Sequence, residues 1–97
     1  MAKSIDFNKE LKNLDGKAIV QNNEPVKIKV IVSNTLCLVR PKKSDDISRQ
    51  FHLAMKIFAS EESLLLDDID VRIIHDALTA SDLTPIVCGQ ILSILEN

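Results

Sequence analysis

Tryptophan and tyrosine are missing from these 97 residues, and the aromatic share rests on Phe7, Phe51 and Phe58. A surface that stacks nucleic-acid bases on exposed rings is therefore not expected. Glycine is almost as scarce. Gly16 and Gly89 stand alone, so no glycine-rich loop is available to cradle a phosphate. No G-x-S-x-G elbow or G-x-G-x-x-G turn occurs either. No apolar run approaches 18 residues, and the start, MAKSIDFNKEL, lacks the apolar core of a signal peptide. Neither a membrane span nor secretion is expected, which places the chain in the cytoplasm. Cys37 and Cys88 lie far apart and form no C-x-x-C pair. In a cytosolic protein they are expected to be reduced and buried.

What is present suits a single small domain, 1–97, with 45% apolar and 27% charged residues. The net charge of -2 gives no global drive towards nucleic acid or membrane. Its distribution is uneven. Residues 1–58 hold 11 Lys and Arg against 6 Asp and Glu, whereas residues 59–97 hold Arg72 against 8 acids.

The first 25 residues carry turn signals. Asp15-Gly16 is a strong turn dipeptide, and QNNEP is a second turn ended by Pro25. KAIVQ between them is β-prone, and SIDF suits another short strand. Residues 26–39, VKIKVIVSNTLCLV, fit two templates. Lys27 and Lys29 alternate with Ile28 and Val30 as in a strand, yet Ile28, Ile31, Val32, Thr35 and Leu36 share a helical face. RPKKSDD reads as a linker. Ser44 suits a helix cap, and the spacing predicts a helix over 45–59 with Ile47, Phe51, Ala54, Met55 and Phe58 inward. SEESLLLDD reads as a connection. Asp67 is placed to cap a helix over 68–79, with Ile69, Ile73, Ile74, Ala77 and Leu78 as its stripe. Thr84 and Pro85 open a last helix.

These elements predict a mostly α (α+β) fold. A small N-terminal β-hairpin or turn-rich element (1–25) and an undecided segment (26–40) precede a helical part (45–97), giving three or four packed helices in all. The predicted core is Phe51, Ala54, Met55, Phe58, Ile69, Ile73, Ile74, Leu78, Val87, Ile91 and Leu95.

The last helix follows another helix across a short polar turn, an arrangement that invites comparison with DNA-reading motifs. A recognition helix needs side chains for base edges and cations for phosphates. This one offers Gln90, Ser93 and Asn97 and no base, and the helix before it carries Asp68, Asp70 and Asp76. It is a packing helix. It is also apolar on most sides, so either the N-terminal segment or another subunit must cover it. Gly89, Ile91, Leu92 and Leu95 are therefore candidate partner-binding residues.

Arg40, Lys42, Lys43 and Arg49 form a candidate basic patch, extended by Lys27, Lys29 and Lys56. A solvated linker explains its densest part, RPKKS; contact with nucleic acid or an acidic partner is the alternative. The Asp67, Asp68 and Asp70 cluster lacks the glycine and distal glutamate of a calcium loop and reads as helix capping. His52 and His75 flank apolar stripes and fall in no zinc-ligand pair. No catalytic, cofactor-binding or metal residue is assigned, and no cofactor is expected.

KSIDF, LKNLDGK, LAMKIF and DLTPIVCGQIL resemble, in order and spacing over most of the chain, small proteins encoded by tailed bacteriophages and prophages. The resemblance implies a virion component, an assembly factor or a binder of host proteins, acting in the host cytoplasm or in the virion. It also implies that residues 26–39 are helical. It carries over no site residues. The expected function is a non-enzymatic protein-interaction module whose partner is itself, a phage protein or a host protein. The alternative is a nucleic-acid accessory protein using the basic N-terminal half.

Overall fold

A computed structural model of the protein describes residues 3–41 and 46–96. Lys42, Lys43, Asp45 and the expected cap Ser44 lie outside the described residues.

The N-terminal third is a small β element held by backbone bonds. Asn22 and Asn23, with φ of 52° and 66°, form the two-residue turn between β2 (Val20–Gln21) and β3 (Glu24–Pro25). Both central residues of such a hairpin need left-handed φ, which asparagine tolerates. Gly16 supplies φ +86° in the preceding turn, where its N–H donates to the Asn13 carbonyl at 2.9 Å. Leu11 ties the two turns together. Its N–H donates to the Val26 carbonyl and its carbonyl accepts the Ile19 N–H, both at 2.8 Å; Val26 N–H closes the triangle on Ile19 at 2.9 Å.

The undecided segment is a helix, α1 (Ile28–Leu38). Its N-cap residue, Lys27, makes no side-chain cap. Backbone carbonyls do that job instead: Ile28 N–H donates to Lys9 and Lys29 N–H to Phe7, each at 2.8 Å. Ile28, Val32 and Leu36, spaced by four, are all buried. The buried hydroxyl of Thr35 donates back to the Ile31 carbonyl at 2.7 Å, so its burial leaves no orphan.

Helix α2 (Asp46–Phe58) follows, then a strand where a plain connection was expected. This strand, β4 (Leu64–Leu66), pairs antiparallel with β1 (Lys3–Ile5), Lys3 opposite Leu66 and Ile5 opposite Leu64. Ile5 and Leu66 point into the core while Leu65 faces out. Asp67 caps α3 (Asp68–Ala80) as expected, its Oδ1 accepting the Asp70 N–H at 2.8 Å. Helix α4 (Pro85–Glu96) starts at the expected proline, with the Thr84 carbonyl accepting the Cys88 N–H at 2.9 Å.

One core joins all these parts. Phe7, Val32, Ile57, Leu66, Ile74 and Ile91 are fully enclosed. The N-terminal segment covers α4: Phe7 and Leu11 are buried, Gln90 Oε1 accepts the Lys12 N–H at 2.9 Å, and Gln90 Nε2 donates to the Lys12 carbonyl at 2.6 Å. The Lys3 ammonium donates to the Leu95 carbonyl at the far end of α4. Among the described residues, no helix is long and apolar enough to cross a membrane.

Four expected core residues lie on the surface: Phe51, Met55, Phe58 and Ile69. On α2 the buried ridge is instead Gln50, Leu53, Ala54 and Ile57. Both ridges have helical spacing, so periodicity alone could not choose between them. Ile69 sits in the first turn of α3, at a position the core does not reach. Cys37 is exposed on α1 and Cys88 is half-buried, so neither has the buried site expected of it; both are free thiols.

Candidate interaction surface

The candidate partner-binding residues of α4 have divided fates. Ile91 and Leu95 are consumed by the chain's own core, Leu92 is half-buried and Gly89 is exposed. A Cβ at Gly89 would meet nothing within 4 Å, so this glycine marks no close approach of a neighbouring segment.

Of the candidate basic residues, Lys42 and Lys43 lie outside the described residues, and Arg40 and Arg49 have different settings. Arg49 turns towards the start of α3 and binds two carboxylates. Its Nε donates to Asp70 Oδ1 at 3.0 Å, and its Nη2 donates to Asp70 Oδ1 at 2.9 Å and to both Asp67 oxygens at 3.1 Å. The Asp70 hydrogen bond, then the charges of Asp70 and Asp67, hold the guanidinium above its ordinary pKa. Asp67 is held below the usual carboxylate range, first by the Asp70 amide and then by Arg49. Lys29 donates to the Ser60 carbonyl at 3.1 Å, fastening α1 to the end of α2. Arg40 is exposed beyond the C-terminus of α1. Part of the basic half thus meets part of the acidic half within one molecule.

Among the described residues, neither histidine builds a reactive pair. His52 Nδ1 lies 2.7 Å from the Ser48 carbonyl and 3.4 Å from the Ser48 hydroxyl. A carbonyl only accepts, so Nδ1 carries the proton and is no base for that hydroxyl. His75 lies 3.8 Å from Asp76, both on the surface. Among the described residues, no three His, Cys, Asp or Glu side chains are grouped to hold a metal ion.

The distinctive surface is on α2. Ile47, Phe51, Met55 and Phe58 form a continuous ridge that is 44%, 53%, 54% and 57% exposed. Leu38, 83% exposed, stands at the end of α1 beside it. A shallow groove lined by Leu38, Arg40, Pro41, Ile47, Gln50 and Phe51 runs between the two helices. Phe51 is braced by the His52 ring, centroid to centroid 5.7 Å and edge-on at 66°. The adjoining ridge of Ser48, His52 and Lys56 is polar and exposed. Single exposed apolar residues are ordinary, but a contiguous stripe of this kind marks a contact surface. The signal for it is in the sequence: α2 has two apolar ridges, one more than a small monomer needs.

Comparison of the chain with protein-family models, with curated proteins and with solved structures found no match.

Proposed function

We propose that this domain is a non-enzymatic protein-interaction module that engages its partner through the exposed face of α2. The observation that carries the reading is the Ile47, Phe51, Met55 and Phe58 ridge beside Leu38, apolar surface that the chain's own core leaves uncovered. Two large aromatic anchors and a methionine are the residue types that dominate contact energetics. The resemblance to small proteins of tailed bacteriophages and prophages supports a phage-encoded role in virion assembly, self-association or binding of a host protein, in the host cytoplasm or the virion. The nucleic-acid reading has less support, because Arg49, Lys3 and Lys29 already donate to groups within the chain.

The test compares the wild-type domain with Phe51→Glu and Met55→Glu, both changes at exposed positions, each first checked for an unchanged helical spectrum. Partners identified on the wild-type domain, host or phage proteins or the chain itself, are purified and their affinities measured. Loss of binding in both variants is expected. Full binding by both would remove α2 from the function.

A further inference from the structure

We propose that the partner seated on this face is a second copy of the chain, with the two α2 helices antiparallel across a twofold axis. The inference rests on the interaction-module reading above and adds the identity and orientation of the partner.

Charge sets the orientation. The stripe has unlike ends. At the Ile47 end, exposed Arg40 lines the groove with Ile47 and Phe51. At the Phe58 end, Glu61 and Glu62 stand exposed on the turn that leaves the helix and outnumber the one base there, Lys56 in the last turn of α2. Running a second copy antiparallel brings the Arg40 end of each against the Glu61 and Glu62 end of the other. A parallel copy would set like charges together, which disfavours a register. A twofold axis through the middle of the stripe also places Phe51 of one copy beside Met55 of the other, twice, a favourable sulfur–aromatic pairing. Opposed helix dipoles favour the same direction.

The area is of the right order. Fully covered, the exposed parts of Leu38, Ile47, Phe51, Met55 and Phe58 amount to roughly 600 Å² per copy, judged from the usual size of such side chains. A stable interface takes about 800 Å² per partner, so the apolar stripe supplies most of it and the charged rim completes it. The stripe runs about 16 Å along the helix, long enough for three turns of mutual packing.

The experiment is light scattering or sedimentation equilibrium on the full chain over a concentration series. A reversible dimer is expected. Phe51→Glu and, independently, Met55→Glu are expected to weaken it about a hundredfold with the helical spectrum unchanged. Arg40→Glu alone and Glu61→Arg with Glu62→Arg are each expected to weaken it about three- to tenfold, and the combined variant to recover most of the loss. Additive losses in the combined variant would overturn the antiparallel orientation. A monomer at every concentration, or a dimer indifferent to Phe51→Glu, would overturn self-pairing. A monomer that still binds another protein in a Phe51-dependent way overturns the second copy alone and leaves the interaction-module reading standing.

Discussion

Gln50 of α2 caps the end of α1: its Nε2 donates to the Leu36 carbonyl at 2.8 Å and also to the Val39 carbonyl at 2.6 Å. The last carbonyls of a helix have no partner within it, and this buried amide supplies one from the neighbouring helix. One polar side chain in an otherwise apolar ridge thereby fixes how α2 lies on α1. Gln50→Leu keeps the volume and removes the donor. It is expected to cost about 2 kcal/mol in urea denaturation, because buried carbonyls are left unsatisfied. A loss under about 0.5 kcal/mol would show that water replaces the amide without penalty.

Ile57 and Phe58 are neighbours with opposite surroundings, the first fully buried and the second more than half exposed. Ile57→Ala is expected to destabilise the monomer by about 2–5 kcal/mol, and Phe58→Ala by no more than about 0.5 kcal/mol. Both are to be measured at concentrations low enough to keep the protein monomeric. The reverse ranking would mean that the other ridge of α2 faces inward.

Gly89→Ala is expected to stabilise. The position is mid-helix and exposed, and open space awaits a methyl group. Alanine loses less backbone freedom there, a gain of about 0.5–1 kcal/mol, or roughly 4 °C in melting temperature. A lower melting temperature would place an undetected neighbour against this glycine.

Acid should loosen the start of α3. Asp67 titrates below its ordinary value in the folded state, so its contribution is present above the unfolded carboxylate pKa and is lost as pH falls through the folded one. Asp67→Asn keeps a capping oxygen but has no charge to lose. Wild type is expected to be the more stable of the two near neutrality, with the gap closing as pH falls below about 4. A gap independent of pH would mean that the carboxylate charge plays no part.

Local signals in the sequence located much of the fold. Asp67 and Pro85 mark helix starts by chemistry that works within a turn, and Asp15-Gly16 and Asn22-Asn23 mark turns in the same way. What the sequence left open depends on distant partners. Residues 28–38 become helical where the Phe7 and Lys9 carbonyls catch their first amides, and nothing within the segment announces that. Leu64–Leu66 becomes a strand because Lys3–Ile5 lies beside it, and three leucines carry no period of their own. On α2 the spacing was legible and its direction was not. Helical spacing put Phe51 and Phe58 in the interior, but Gln50 can cap α1 when the Leu53 and Ile57 ridge faces inward. The same misassigned residues make up the candidate surface.

The clasp between Lys3 and Leu95 spans 92 positions of sequence, and that between Lys12 and Gln90 spans 78. Such a clasp has an order of events built into it. During synthesis Lys3 and Lys12 leave the ribosome long before α4 exists, so both clasps close only after Gln90 and Leu95 have been made. A nascent chain arrested within α4 therefore carries this seam unfinished. Cooperative unfolding, and resistance to proteases, should arrive together in a single late step, not build up helix by helix.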